Sequence, residues 1–363
     1  MICRRDLHSR IFWITFGKFW LQGRCRSDCR GRTTILMTLT MKNDRYDCAA
    51  GIDIGGTNTV TGLVDRSGRI LWRDVVRTAG YDDAGGLVLD VSRRMEDAAA
   101  RCGVRIAGIG IGAPCADGRS GEIEAATDLP WPSPIPLARM MEAASGLPVK
   151  IANDANAATA GDMRYGVSRG LRDIIFLTLG TGVGSGIVCD GKLVEGQRGF
   201  AGELGHVKAW RSEGRRCACG REDCLQTYCS AKGVVATALR FLESGRESSL
   251  RGVPAGSLTS RDVAEAAHGG DMVAREVLSF TGEVLGEACA QFAAFTDPEA
   301  IVLFGGVARA GSFLTDAVKE AFERNVLSLY KGRVRFLVSD LGEADVALLG
   351  AAALGWEASG NDF

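Results

Sequence analysis

Four residues in the middle of the chain have the types and spacing to hold one metal ion. His206, Cys217, Cys219 and Cys224 form a His-x10-Cys-x-Cys-x4-Cys run that offers one imidazole and three thiolates. This donor set suits a closed, tetrahedral zinc site with a structural role, because no coordination position is left for chemistry. A buried cysteine cluster beside an unrelated histidine is the other way to account for it. The intervening Arg215, Arg216, Gly220, Arg221, Glu222 and Asp223 are too polar for such a core. Directly upstream, Gly202-Glu203-Leu204-Gly205-His206 adds an acidic segment compatible with a sugar.

Glycine-rich turns carry a second kind of chemistry. In Asp53-Ile54-Gly55-Gly56-Thr57-Asn58, backbone N–H groups unshielded by side chains can approach a phosphate. Asp53, at a strand end, can face a magnesium ion through water. Leu179-Gly180-Thr181-Gly182-Val183-Gly184-Ser185-Gly186 is a second loop of this kind. Neither is a Walker loop, since no Gly-Lys-Ser/Thr follows four variable residues. An ordinary hairpin turn accounts for either loop alone. Two of them in repeated settings, on either side of Asn153-Asp154, point to phosphate binding. Asn153 and Asp154 follow an apolar strand and open a helix, where both are good N-caps. A carboxylate there can equally act as a general base toward a substrate hydroxyl. Gly305-Gly306, between a buried strand and a helix, is either a simple connection or a place where adenine packs on the backbone.

The elements that must position these residues are legible in outline. Residues 48–54 make a buried strand, 55–57 a tight turn, and 59–64 and 69–76 a meander through Asp65-Arg66-Ser67-Gly68. A second copy follows about 125 residues later: strand 174–179, turn 180–182, strand 186–189, then an Asp190-Gly191 hairpin into 192–194. Strands at 104–110 and 149–152 lie between the copies, with a helix at 155–165. Later segments read as helices at 231–242, 260–268 and 271–295, a strand at 300–304, a helix from 313, a strand at 334–338 and a helix at 344–356. Strands alternating with helices give an α/β architecture.

Composition sets the outer bounds. The 363 residues suffice for two sizeable domains with a real core. With 43 basic and 44 acidic residues the charge is nearly balanced, which argues against a broad nucleic-acid footprint. Twelve cysteines spread through a chain with 46% hydrophobic content do not resemble a small disulfide-stapled scaffold. Reduced thiols and one metal site fit better, and they imply a reducing cytoplasm. Residues 1–40 are rich in Arg and Cys, and the apolar run 11–21 is broken by Lys18 and too short to span a bilayer. They are expected to be a non-native or disordered extension, with a cryptic targeting or membrane-surface segment as the alternative.

Taken together and in order, Asp53-Ile-Gly-Gly-Thr57, Asn153-Asp154-Ala-Asn156-Ala-Ala, Leu179-Gly-Thr-Gly-Val-Gly-Ser-Gly186, Gly202-Glu-Leu-Gly-His206 and Cys217-Ala-Cys-Gly-x3-Cys224 resemble the ROK family (repressors, open reading frames and sugar kinases), especially its bacterial glucokinases. The resemblance spans about residues 47–357. It implies an actin-like ATPase (ribonuclease H-like) fold of two ββαβα-based domains with a cleft between them. Residues 47–152 with 344–363 would form the small domain, and 153–343 the large one. It also implies roles: Asp154 as general base; Asn153, Glu203 and His206 on the sugar; His206 on zinc with Cys217, Cys219 and Cys224. ATP phosphates would lie on Asp53, Gly55, Gly56, Thr57 and Asn58 and on Gly180, Thr181, Gly182 and Gly184, with adenosine beside Gly305 and Gly306 and magnesium between. The family's usual Glu after Cys224-Leu is Gln226 here, and an Asn common in glucokinases is Asp128. Gln226 loses charge and gains a donor, and Asp128 accepts but cannot donate, so both open the sugar preference; glucose remains the expected substrate, with other hexoses and N-acetylhexosamines as alternatives. A sugar-sensing repressor of the same family would need an N-terminal helix-turn-helix, and residues 1–40 show no pair of amphipathic helices. No nucleic-acid or membrane partner is expected, and the family resemblance implies a homodimer.

Overall fold

The computed structural model describes residues 10–16, 19–27, 33–41, 47–124 and 129–360. The chain separates into two compact units, Met1–Asp47 and Cys48–Phe363. In the first unit, strands β1 (Arg10–Phe16), β2 (Phe19–Ser27) and β3 (Thr33–Met41) pair antiparallel in that order, within the stretch that the sequence sets aside as an extension.

In the second unit, β4 (Cys48–Ile54) is buried along nearly all of its apolar length, as a central strand must be. It pairs antiparallel with β5 (Asn58–Asp65), which pairs with β6 (Ile70–Arg77). Helix α1 (Ala84–Cys102) starts on the Asp83 side chain, which accepts from Gly86 N at 2.8 Å, and stops at Gly103. Strand β7 (Ile106–Gly112) then lies parallel to β4 on its other side. The short hairpin β8 (Ala116–Asp117) and β9 (Glu122–Ile123), and helix α2 (Leu137–Ser145), lead to β10 (Val149–Ala152), parallel to β7. The sheet order is β6-β5-β4-β7-β10.

Helix α3 (Asp154–Tyr165) leads to the second sheet. Strand β11 (Ile174–Leu179) pairs antiparallel with β12 (Val183–Cys189), and β12 with β13 (Lys192–Leu193). Helices α4 (Gln226–Cys229), α5 (Ala231–Leu242), α6 (Ser260–His268) and α7 (Met272–Thr296) precede β14 (Ala300–Phe304), which is parallel to β11. After α8 (Ser312–Asn325), β15 (Arg335–Val338) pairs parallel with β14. The order β13-β12-β11-β14-β15 repeats the first sheet strand for strand. What the sequence shows as a duplicated hairpin is therefore the duplication of a whole sheet.

Helix α9 (Val346–Ala358) closes the chain by packing on β4, β7 and β10 and on α3, while α3 also packs on β12. Burial on nearly all sides explains why α9 is apolar all round. The α3–α9 crossing is close: a Cβ on Gly161 would stand 2.9 Å from the backbone of Gly350. Asp162, fully buried on α3, accepts hydrogen bonds from Ser168 N at 3.0 Å and from Ser339 Oγ at 2.5 Å just beyond β15. This pair of helices and its buried carboxylate tie the two sheets together.

Two segments differ from the sequence expectation. Strand β7 begins two residues later than 104, and β12 begins at Val183, within the stretch expected as a loop. The six-residue ladder to β11 recruits those glycines into the sheet, and Gly186 leaves no room for a Cβ against Thr159 of α3.

Candidate active site

A cavity of about 460 Å³ opens where the second sheet meets the N-terminal ends of α3 and α9. Asp154 lines it together with Gly180, Thr181, Gly182, Gly184, Gln226, Gly305 and Gly306, so residues from four separated motifs converge on one space. Thr178, Glu343, Val346 and Ala347, which belong to none of those motifs, complete the wall. No lysine or arginine lines it among the described residues. Backbone N–H groups and two helix N-termini are the features there that favour phosphate, beside the carboxylates of Asp154 and Glu343.

The local structure separates the roles of the neighbours Asn153 and Asp154. Asn153 is the N-cap of α3: its Oδ1 accepts from Ala155 N at 2.8 Å and from Asn156 N at 3.3 Å. The cap is thereby filled, and Asp154 is left exposed at the cavity, its Oδ1 accepting from Ala155 N at 2.7 Å. Asp53 sits at the end of β4. Burial, and then the negative Asp154 beside it, push its carboxyl up from 3.8 to about 6.

The turn from Gly55 to Asn58 is held by Gly55 N donating to Asn58 O at 3.0 Å and by Thr78 Oγ1 donating to Gly55 O at 2.7 Å. Its residues do not line the cavity, whereas the 180–184 loop does. That second loop is pinned by Gly184 N donating to Thr178 Oγ1 at 3.0 Å and by Ala231 N donating to Gly180 O at 2.8 Å. Val307 N donates to Leu179 O at 3.2 Å, which sets the Gly305-Gly306 turn directly against the loop.

His206, Cys217, Cys219 and Cys224 present ligand atoms that all lie within 4.8 Å of one another. Cys217 Sγ is 3.6 Å from His206 Nδ1, and Cys219 Sγ is 3.6 Å from Cys224 Sγ. Donors at tetrahedral angles about 2.3 Å from one zinc ion stand about 3.8 Å apart, so the cluster fits that ion. Hydrogen bonds from the Arg221 backbone and then its side chain lower the Cys219 thiol to about 6, toward the thiolate a metal requires. The other ring nitrogen, His206 Nε2, faces Glu203 at 3.9 Å. Gly205 must be glycine, since a Cβ there would meet Val183 O at 2.0 Å; this contact seats the Glu203–His206 turn on β12.

Gln226 links the two halves of the site. Its Nε2 donates to Cys217 Sγ at 3.0 Å and its Oε1 accepts from Val183 N at 3.5 Å. One side chain thus spans from the metal cluster to the glycine-rich loop. His206, a member of the cluster, and Glu203 beside it are not among the cavity-lining residues. Asp128 lies outside the described residues.

Two five-stranded sheets of one order, joined by paired helices whose N-termini meet a phosphate-compatible cavity, define an actin-like ATPase fold. The family model described as "ROK family" matches residues 49–357, and the chain belongs to that family. It is 33% identical over 312 residues to a glucokinase of Halalkalibacterium halodurans, covering 84% of this chain and 93% of that protein. It is also 32% identical over 309 residues to an N-acetylmannosamine kinase of Salmonella heidelberg, covering 84% and 96%. Among solved structures, a ROK family glucokinase from Streptomyces griseus in complex with glucose and AMPPNP superposes with a TM-score of 0.68 at 32% identity, covering 85% of this chain and 99% of that one.

Proposed function

We propose that this ATP-dependent sugar kinase phosphorylates glucose at its 6-hydroxyl, with Asp154 as the general base. The observation that carries the proposal is the division of labour at the start of α3. Asn153 fills the cap, so the adjacent carboxylate stands exposed in the same cavity as the glycine-rich loop. A base at that point can take the proton of a sugar hydroxyl as it attacks a phosphate held by the loop.

The remaining roles are those that the family resemblance implies. The loops 53–58 and 180–184 hold the ATP phosphates through backbone amides, and Gly305-Gly306 borders the adenosine. Asp53, held up to about 6 without a cation, is the residue to face magnesium, which offsets phosphate charge when bound. Asn153, Glu203 and His206 hydrogen-bond the sugar, and Asp128 and Gln226 also serve it. Zinc on His206, Cys217, Cys219 and Cys224 fixes the ring whose Nε2 faces Glu203. Protein chemistry beyond one base is small, and positioning with oriented dipoles supplies most of the acceleration. Closure of the two halves excludes water and limits wasteful ATP hydrolysis.

Glucose is supported by the glucokinase relatives, and N-acetylmannosamine by the second relative named above. By family resemblance the protein works in the cytoplasm as a homodimer; among the described residues no helix is long and apolar enough to cross a membrane. A coupled assay with Mg-ATP across hexoses and N-acetylhexosamines tests the proposal. The highest kcat/KM for glucose supports it. A higher value for another sugar overturns the choice of glucose, and no turnover of any sugar overturns the kinase assignment.

A further inference from the structure

Two carboxylates line the catalytic cavity, and the chemistry proposed above employs only that of Asp154. The other, Glu343, lies in the turn that leads into α9, where Gly342 O accepts from Asp345 N at 3.0 Å and from Val346 N at 2.9 Å. Its acidic neighbours are placed elsewhere. Asp345 pairs with Arg73 of β6 at 2.9 Å, and neither Asp345 nor Asp340 lines the cavity. Glu343 instead stands beside the Gly305-Gly306 turn: a Cβ on Gly306 would be 3.7 Å from its Oε1.

Arg309 sets that position. Its Nη2 donates to Leu341 O at 2.9 Å and its Nη1 lies 3.6 Å from Glu343 Oε1. One guanidinium thus ties the segment after β14 to the segment before α9. Both side chains are exposed, and an ion pair of that kind contributes little to stability. Nor does α9 need a second acid to complement its dipole, since Asp345 already stands at its N-cap. What the pair does is aim a carboxylate.

Charge says which part of a nucleotide that carboxylate can meet. A triphosphate repels it, so Glu343 suits the nucleoside. Phe304, Val346 and Ala347, close in sequence to Gly305 and Glu343, give the cavity an apolar wall for a base. The ribose beside the base presents two neighbouring hydroxyls, and the two oxygens of one carboxylate can accept from both. An acidic side chain reads a ribose hydroxyl in the same way in dinucleotide-binding folds.

We propose that Glu343, aimed by Arg309, accepts hydrogen bonds from the 2′- and 3′-hydroxyls of the bound nucleotide. It thereby makes the enzyme select ribonucleotides over 2′-deoxyribonucleotides, a role that rests on this cavity being the ATP site.

Calorimetric titration of ADP and 2′-deoxyADP, each with magnesium, into the full-length protein tests this whatever the sugar substrate. The parent should bind ADP at least about tenfold more tightly than 2′-deoxyADP, the loss expected for one hydrogen bond to a charged group. Glu343→Ala should weaken ADP more than 2′-deoxyADP and bring the ratio of the two affinities to within about threefold. Glu343→Gln keeps one acceptor oxygen, so its ratio should fall between those of the parent and the Ala variant. The preference for ADP over GDP should be the same in all three proteins. A parent that binds ADP and 2′-deoxyADP equally overturns the proposal, and so does an Ala variant that keeps the parent ratio because both nucleotides weaken alike. A change in the ADP-to-GDP ratio alone also overturns it, because the carboxylate would then read the base. A parent that binds no ADP overturns the assignment of the cavity to ATP, and this role with it. Should Glu343→Ala fail to fold, the ratio in Glu343→Gln decides, with a fall of at least about threefold expected.

Discussion

Exchanging Gln226 for Glu changes one atom group at the point where the metal cluster meets the glycine-rich loop. Gln226 Nε2 donates to Cys217 Sγ at 3.0 Å, and a carboxylate oxygen in its place would face the thiolate with like charge. Two bare unit charges 3 Å apart repel by about 5 kcal/mol at an effective dielectric of about 20. A zinc ion held there would draw much of the charge from sulfur, so the expected loss is that of an outer partner of a metal ligand, about 10- to 100-fold in zinc retention. The Oε1 contact to Val183 N survives, because Glu keeps an acceptor there. Gln226→Glu should therefore release zinc to a colorimetric chelator about 10- to 100-fold faster, with little change in the KM for ATP. Gln226→Ala, which loses both contacts without repulsion, should release zinc less readily than Glu yet raise the KM for ATP. If Gln226→Glu retains zinc as well as the parent and raises kcat/KM for glucose, the side chain serves the sugar, and the bridge to Cys217 is refuted.

Two further outcomes follow from the same geometry. Asp53 has a folded-state pKa raised from 3.8 to about 6, so it binds its proton more tightly when folded. Its ionisation costs nothing below pH 3.8 and about 3 kcal/mol above pH 6, so stability falls between the two values as pH rises. In magnesium-free buffer Asp53→Asn should stabilise the protein by about 2–3 kcal/mol at pH 8 and hardly at pH 4, read by denaturant melts; no gain at pH 8 would mean that the carboxylate is solvated. Removing zinc should raise the KM for the sugar more than that for ATP, because His206 Nε2 faces Glu203 while the loop at 180–184 has its own backbone anchors; equal losses would count against that.

Local signals made the duplication and most of the site visible in the sequence. The Gly-Thr turns, the Asn153-Asp154 pair and the Cys-x-Cys-x4-Cys spacing each sit within a few residues, and turn and cap chemistry acts over that range. What was not legible is what tertiary packing brings together. Thr178 lies inside an apolar strand and Glu343 in a turn before α9, and neither spacing nor type marks them as cavity residues. Residues 183–185 read as loop because glycine is a poor strand former, yet the ladder to β11 overrides propensity. The family pattern places Gln226 at the sugar. Its donor contact to Cys217 depends on the fold of the metal loop, which no local signal encodes.

Asp154 bears the central claim, and one comparison tests it most directly. Sugar phosphate formation from Mg-ATP and glucose should be measured for the parent protein and for Asp154→Asn. Because Asn153 supplies the cap, the variant should keep its melting temperature while kcat/KM falls by about 10²- to 10⁴-fold. A variant that phosphorylates glucose at the parent rate would contradict the account.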